Sequence, residues 1–122
     1  MKTIRELIDI ITRHVVVEQG EQNGWKYRKW SNGFAECWYT TFGRASVNYQ
    51  AWGNQYYADI DGIDFPFEFV EVKSFFTPYG AQSWPIGNYG ASETNTGKIR
   101  FASNAGGSHQ AYCHIYAVGK WK

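Results

Sequence analysis

The sequence has little of several residue types, and each shortage argues against a class of protein. Its 122 residues include three prolines, one methionine and only two cysteines. Two cysteines are too few for the disulfide framework that stabilises small secreted domains. Twelve basic residues nearly balance eleven acidic ones, which gives a formal net charge of +1. Because the basic excess typical of a nucleic-acid binder is missing, we expect no nucleic-acid partner.

Long apolar runs and secretion signals are also missing. No stretch approaches the roughly 20 apolar residues of a membrane-spanning helix, so we expect no membrane insertion. The opening MKTIRELIDIIT places Arg5, Glu6 and Asp9 where a signal peptide needs an unbroken apolar segment. Cys37 and Cys113 lie in strand-like stretches. We expect two reduced, buried thiols, and the alternative is one bridge between neighbouring strands.

Aromatic residues are abundant instead. They make up 19% of the chain, with nine tyrosines and six tryptophans, and they occur beside 13 glycines. This composition is typical of an antiparallel β protein. The length corresponds to one domain that can bury a hydrophobic core without disulfides or metals.

Short aromatic and β-branched segments alternate with Gly, Asn, Asp and Pro. The predicted strands are residues 25–31, 34–41, 45–51, 55–60, 67–76, 98–104 and 111–120. No helical pattern lies between them, so the sequence predicts an all-β fold, an antiparallel, jelly-roll-like β-sandwich. Residues 77–97 are the least regular and are predicted to form a long loop.

Helical periodicity occurs only at the N-terminus. Apolar residues recur there at alternating spacings of three and four: Met1, Ile4, Ile8, Ile11 and Val15. The pattern predicts one short amphipathic helix over residues 1–18, followed by a β-sandwich domain over residues 19–122. A helix of about two heptads is unstable alone in water, so it must pack either on its own domain or on copies of itself. In the second case Ile4, Ile8, Ile11 and Val15 form the oligomer interface. Isoleucine at both the a and d positions of the heptad favours a coiled coil of three helices.

The segment GWKYRKWSNGFAECW, residues 24–38, predicts a β-hairpin. Asn32–Gly33 is the dipeptide best suited to a two-residue type I′ turn. A loop of this length would place Lys29 directly opposite Glu36. Both faces of the hairpin carry aromatic side chains. In residues 111–120 one face is small and apolar, and the other carries Tyr112 and Tyr116, so neither face is fully polar. We therefore expect a second sheet to cover one face and another subunit to cover the other.

Motifs for catalysis or metal binding are incomplete. DIDGID, residues 59–64, resembles the start of an EF-hand loop, but Val70 occupies the position that requires a bidentate glutamate. We interpret the segment as a solvated turn, and the alternative is another kind of calcium site that uses Glu68 or Glu71. Neither a zinc-binding spacing nor a nucleophile elbow is present. We expect no metal, no cofactor and no enzymatic activity.

Aromatic and polar residues are concentrated in the segments that connect the strands. Aromatic rings stack on sugars, while amide, carboxylate and imidazole groups form hydrogen bonds with sugar hydroxyls. The candidate ligand-binding residues are Trp52, Tyr56, Tyr57, Tyr79, Trp84, Asn88, Tyr89, Glu93 and His109. For each of them the alternative is packing within the domain.

Three segments resemble a module at the C-terminal ends of phage and prophage tail-fibre, minor structural and receptor-binding proteins of Gram-positive hosts. They are VVEQGEQNGWKYRKWSNGFAECW at 16–38, GIDFPFEFVEV at 62–72 and IYAVGKWK at 115–122. The module has an EQG lead-in, a W-x-Y-x-K-W hairpin that ends in E-C-W, an I-x-F-P-F-x-F element and a terminal A-I-G-R-W-K. The resemblance covers the start, middle and end of the chain, and the loops between match no pattern.

The resemblance implies a β-rich component of the virion tail tip that is assembled in the cytoplasm of the bacterial host. It implies a homotrimer, contacts with other phage tail proteins, and binding to a host-surface glycan or other receptor, without a cofactor or catalysis. One alternative is a purely structural tail or baseplate component. The other is a glycan-modifying enzyme domain, which would need two facing carboxylates.

Overall fold

Antiparallel β-strands form most of the part of the chain that this computed structural model describes, residues 3–4, 15–80 and 82–122. The strands are β1 (Val16–Gln22), β2 (Trp25–Trp30), β3 (Phe34–Trp52), β4 (Gln55–Ile60), β5 (Glu71–Pro78), β6 (Ser83–Tyr89), β7 (Lys98–Ser103) and β8 (Gly107–Lys120). The prediction of an all-β, antiparallel fold is confirmed.

One curled sheet contains all eight strands, in the order β1-β2-β3-β4-β7-β6, with β8 paired to both β3 and β5. The long strand β3 divides the sheet into two arms. Its first part lies between β2 and β8, and its last three residues pair with β4. We call β1, β2, β5, β8 and the first part of β3 the first arm. The second arm is β4, β7 and β6 with the end of β3.

The two arms share one hydrophobic core. Every second residue of β8 from Ala111 to Ala117 is buried, as the two-residue repeat of a strand requires. Ile99 and Phe101 of β7 enter the same core from the second arm. The faces that point away from this core are therefore the outer faces of the two arms.

The segment between β4 and β5 closes the core. Phe65 and Phe69 are buried there, and Trp25 is fully buried against Phe65 with its indole N–H donated to the carbonyl oxygen of Asp64 at 2.8 Å. The predicted strand 67–76 is wrong in its first part, since β5 begins only at Glu71. Aromatic residues at alternate positions imitate a strand here, although they fill the interior of a connection.

The hairpin between β2 and β3 exists, but its predicted register is wrong. Lys29 pairs with Ala35, and Glu36 pairs with Arg28. The loop has three residues, 31–33, and Gly33 adopts φ 94° while its N–H bonds to the carbonyl of Trp30. A left-handed third residue is the usual solution for a three-residue hairpin loop. The ε-ammonium of Lys29 therefore lies 3.4 Å from the carboxylate of Glu18 rather than opposite Glu36.

Two further strand predictions need correction. Residues 34–41 and 45–51 belong to the single strand β3, because Gly43 continues the strand instead of ending it. A Cβ atom at Gly43 would lie 1.8 Å from the carbonyl oxygen of Ala111, so glycine permits the close approach of β8. Residues 77–97 are also not one long loop, since they contain β6 and the end of β5.

The N-terminal helix predicted over residues 1–18 is not confirmed. Residues 16–18 lie in β1, where the β-branched Val16 and Val17 fit an extended strand paired with β2. Of the four predicted interface residues, Ile8 and Ile11 lie outside the described residues. Ile4 and Val15 are 77% and 41% exposed.

Both cysteines are free and buried, as predicted. Burial raises the pKa of the Cys113 thiol to about 12, and burial together with the nearby charge of Glu36 raises the pKa of Cys37. Within the described residues, no helix is long and apolar enough to cross a membrane.

Candidate functional site

The outer face of the second arm gathers polar and aromatic side chains. Ala58 of β4 and Ile99 of β7 point into the core, so the residues that alternate with them point outward. Tyr57 and Asp59 project from β4 in this way, and Arg100 projects from β7. Asp59 and Arg100 are direct cross-strand partners.

A bidentate ion pair lies at the centre of this face. Nε of Arg100 donates to Oδ1 of Asp59 at 2.7 Å, and Nη2 donates to Oδ2 at 3.0 Å. The hydroxyl of Tyr89 donates a third hydrogen bond to Oδ2 at 2.8 Å. The side chains of Arg100 and Asp59 are 34% and 19% exposed, so the pair is partly shielded from water.

These contacts fix the charges of the pair. The hydrogen bonds from Arg100 are the main reason that the pKa of Asp59 is lowered, and the bond from Tyr89 and the charge of Lys98 act in the same direction. The bond to Asp59 raises the pKa of the Arg100 guanidinium and also that of the Tyr89 phenol. At neutral pH, Asp59 is therefore a hydrogen-bond acceptor and Arg100 is a cation.

Three aromatic rings surround the guanidinium. Its central carbon lies 4.5 Å from the ring centre of Tyr57, 5.7 Å from Trp52 and 5.8 Å from Tyr89. Cation–π attraction holds a guanidinium at such distances. Trp52 and Tyr89 remain 47% and 49% exposed, so much of their surface is available to another molecule. We call Trp52, Tyr57, Asp59, Tyr89 and Arg100 the Arg100 cluster.

An open cavity of about 480 Å³ adjoins the Arg100 cluster. Its lining residues are Ile86, Gly87, Asn88, Tyr89 and Arg100. The register of β6 against β7 shifts between Pro85 and Gly87, and Ile86 is exposed at this irregularity. The side-chain amide of Asn88 donates to the carbonyl of Thr96 at 2.6 Å, which fixes its position. A volume of this size is typical of small-ligand sites.

Five of the nine predicted ligand-binding residues come together here. Trp52, Tyr57 and Tyr89 belong to the Arg100 cluster, and Asn88 lines the cavity. Trp84 lies on the same face, because it pairs with Ala102 of β7, which pairs in turn with Tyr57. Four of these residues, Trp52, Tyr57, Trp84 and Tyr89, thus lie on one outer surface. Asn88 borders the cavity beside them, but it pairs with Ile99, which points into the core.

Tyr56 and His109 do not reach this surface. Tyr56 alternates with Tyr57 along β4 and packs against the core from the inner side. The imidazole of His109 stacks on the ring of Tyr49, with centroids 4.0 Å apart, and its Nε2 lies 2.9 Å from the carbonyl oxygen of Ala105. Both side chains have packing roles.

Tyr79 and Glu93 lie elsewhere on the molecule. The ring of Tyr79 packs edge-on against Tyr112 and His114 of the first arm. Glu93 borders a separate surface depression next to Val70. Neither residue belongs with the Arg100 cluster.

The sequence-based prediction missed Asp59 and Arg100. Asp59 lies at the end of the predicted strand 55–60, but the prediction that its carboxylate is solvated is wrong, because it is bound to Arg100. The other acids of DIDGID have separate partners: Asp61 lies 3.5 Å from the Lys98 ammonium, and Asp64 accepts a hydrogen bond from the amide of Asn95. No group of three potential metal-ligating side chains occurs among the described residues.

One pattern in the sequence could have revealed the pair. Asp59 stands between the apolar Ala58 and Ile60, and Arg100 stands between Ile99 and Phe101. A single charge flanked by core residues points outward from its strand. Opposite charges in two such strands are candidates for a cross-strand ion pair.

Comparisons of the chain with protein-family models, with curated proteins and with solved structures find no match. The chemistry of the site is therefore the main indication of what the protein binds. This chemistry combines exposed aromatic rings, a fixed ion pair and an open cavity on one sheet face.

Proposed function

We propose that the chain is a non-catalytic, carbohydrate-binding domain of a phage or prophage tail tip. It acts as a homotrimeric, jelly-roll-like module of the virion, contacts other phage tail proteins and binds a glycan on the host surface. The carbohydrate-binding part of the proposal is supported by one observation above all. Two half-exposed rings, Trp52 and Tyr89, flank a fixed ion pair beside an open cavity.

The Arg100 cluster has the chemical groups that a sugar requires. The exposed parts of Trp52 and Tyr89 offer apolar surface for the C–H groups of a pyranose ring. Arg100 offers N–H donors, and Asp59 offers carboxylate acceptors. Because the ion pair holds these groups in place, little conformational entropy is lost when a ligand binds.

The tail-tip part of the proposal is supported by the sequence resemblance. The segments 16–38 and 115–122 lie side by side in the first arm, where Phe34 pairs with Lys120. The Arg100 cluster lies in the second arm, whose segments match no pattern. A shared scaffold that carries a variable recognition surface is the arrangement expected for receptor-binding modules.

The trimer is supported by the outer face of the first arm. Phe34, Phe75 and Tyr116 are exposed there, and Phe75 is next to Tyr116 across the strands. Exposed aromatic residues on one face of a sheet are typical of subunit contacts. Size-exclusion chromatography with light scattering tests this part, and a monomer at high micromolar concentration would contradict it.

Glycan-array binding tests the carbohydrate-binding part. Trp52→Ala should weaken binding by about tenfold or more, because it removes a half-exposed stacking surface that flanks the ion pair. Tyr79→Ala is the matched control: it removes an aromatic side chain of similar exposure on the other arm and should leave binding unchanged. Equal losses in both variants, or none in either, would contradict the assignment of the site.

A purely structural tail component is the second candidate. It is favoured by the same ion pair, since Asp59 and Arg100 neutralise each other and the rings of the cluster pack on the guanidinium. In that case Trp52→Ala would lower the free energy of unfolding, and no host glycan or cell-wall preparation would bind the wild-type protein.

A further inference from the structure

The guanidinium of Arg100 has unused hydrogen-bond donors. A guanidinium has five N–H groups, and Asp59 accepts bonds from Nε–H and from one hydrogen of Nη2. No other acceptor among the described residues bonds to Arg100. Both hydrogens of Nη1 and the second hydrogen of Nη2 are therefore available at the end of the side chain. One hydrogen of Nη1 and one of Nη2 form the end-on edge of the guanidinium, opposite Nε, and the other hydrogen of Nη1 points back toward Cδ.

Arg100, which carries these unused donors, lines the open cavity. In the sheet, Arg100 lies between Asp59 of β4 and Gly87 of β6. Gly87 has no side chain to cover the guanidinium, and a Cβ atom added there would meet no atom within 4 Å. Asp59 fills the β4 side of Arg100. On the β6 side there is open space at Gly87, while Tyr89 reaches across from β6 to Oδ2 of Asp59, with its ring centre 5.8 Å from the guanidinium carbon. Arg100 and Gly87 both line the cavity of about 480 Å³.

We propose that the ligand of this site carries a carboxylate or phosphate group on a saccharide and that the Nη1–Nη2 edge of Arg100 binds it. The inference rests on the proposed carbohydrate-binding function and adds the chemical class of the ligand. Two parallel N–H groups at the end of a guanidinium match two oxygens of an oxyanion. A uronic acid and a phosphorylated sugar both supply this group.

Asp59 acts as a positioning residue in this scheme. It binds the guanidinium from the side, so the end of the fork stays fixed and free. The charges nearby balance, since Arg100 is paired with Asp59 and Lys98 lies near Asp61. Selectivity for the anion therefore comes from directional hydrogen bonds rather than from a strong positive field. Binding should weaken only slightly with added salt, unlike the binding of a polyelectrolyte.

The test compares acidic saccharides with their neutral counterparts by isothermal titration calorimetry on the full chain. One pair is a galacturonic acid trisaccharide and its carboxyl-reduced form. The other is an N-acetylglucosamine oligosaccharide with one phosphate and its dephosphorylated form. The wild-type protein should bind at least one acidic probe about tenfold more tightly than its neutral partner, as expected for a bidentate, charge-assisted contact. Comparing the two pairs shows whether the anion is a carboxylate or a phosphate.

Arg100→Lys keeps the charge but removes the fork, so the acidic and neutral probes should bind this variant with similar affinity. Arg28→Lys is the matched control, because Arg28 also lies over an aromatic ring but on the other arm. It should keep the wild-type preference. Circular dichroism verifies that both variants fold. If Arg100→Lys does not fold, the comparison of acidic and neutral probes with the wild-type protein still tests the inference.

Each outcome bears on the inference. A preference for an acidic probe that is lost in Arg100→Lys and kept in Arg28→Lys supports it. Equal binding of acidic and neutral probes by the wild-type protein overturns it but leaves the carbohydrate-binding function standing. A preference that Arg100→Lys retains shows that another residue binds the anion and also overturns it. If none of the four probes binds, the inference fails, and the glycan array decides separately whether the proposed carbohydrate-binding function stands.

Discussion

Arg100 and Arg28 occupy comparable places on the two arms but have different surroundings. Each projects from the outer face of a strand and lies over aromatic rings. Arg100 contacts three rings and forms a bidentate ion pair with its cross-strand partner Asp59. Arg28 contacts one ring, that of Trp38, at 5.1 Å. Its cross-strand partner Glu36 instead accepts a hydrogen bond from the hydroxyl of Tyr116.

The difference shows what converts a surface arginine into a candidate recognition group. The guanidinium of Arg28 lies over the ring of Trp38 and lacks an ion-pair partner among the described residues. Arg100 has one edge bound by Asp59 and the other free. A donor held in one orientation loses less entropy on binding than a mobile one. The difference between Arg100 and Arg28 therefore lies in the carboxylate of Asp59, because both arginines lie over an aromatic ring.

The largest expected effect concerns this carboxylate. Asp59→Ala should lower the free energy of unfolding by about 1–2 kcal/mol, between the values for exposed and buried ion pairs, because it removes the acceptor of three hydrogen bonds. Glu36→Ala should cost less than about 1 kcal/mol. Chemical denaturation measures both values. Equal costs would show that Asp59 fixes its arm no more strongly than Glu36 does.

The acid dependence of stability should also separate the cluster from the rest of the chain. Since the folded-state pKa of Asp59 is lowered, its contribution is complete above its unfolded pKa of about 4 and is lost as the pH falls through the lower, folded value. The stability difference between wild type and Asp59→Asn should therefore be largest near neutral pH and shrink below about pH 4. A difference that persists unchanged in acid would contradict the ionised pair. Thermal unfolding over a pH series provides the measurement.

Much of the scaffold could be predicted from local sequence. β4 has the predicted bounds, and β2 and β7 are each one residue shorter than predicted. These strands end at turn residues, which mark strand ends reliably. β6 was missed because residues 77–97, which include Pro85 and Gly87, lack regular alternation. An edge strand tolerates both, since proline needs no ladder partner there and the register shift accommodates glycine.

Features that depend on which strands pair, and in which register, were harder to predict from the sequence. The turn SNG allows a two-residue or a three-residue loop, and one residue of difference changes every partner in the hairpin. The centre of the candidate site joins Asp59 and Arg100, which are 41 residues apart. Local periodicity shows which way each side chain points but not which strands become neighbours. The aromatic residues of the Arg100 cluster were among the predicted ligand-binding residues because their residue type alone suggested binding.

Each carboxylate also accepts a hydrogen bond from a tyrosine: Asp59 from Tyr89, and Glu36 from Tyr116. Burial, and secondarily the hydrogen bond to Glu36, raises the pKa of Tyr116 to about 12. A raised phenol pKa stabilises the fold below the unfolded value of about 10, and this contribution is lost as the pH rises from about 10 to about 12. Glu36→Gln should lower the pKa of Tyr116 but keep it above 10, because the burial remains. The difference in tyrosinate absorbance between each protein and its Tyr116→Phe variant isolates this group.

The smallest expected effect is that of the rings themselves. In a double-mutant cycle, Arg28 and Trp38 should show a coupling energy of about 0.5 kcal/mol, the usual size for an exposed cation–π pair. The coupling of Arg100 with Tyr57 should be larger, since that guanidinium lies closer to the ring and is held there by Asp59. Repeating the second cycle in an Asp59→Asn background should reduce its coupling toward the Arg28 value. If the coupling is unchanged, the rings alone hold the guanidinium, and the carboxylate does not make the two arms different.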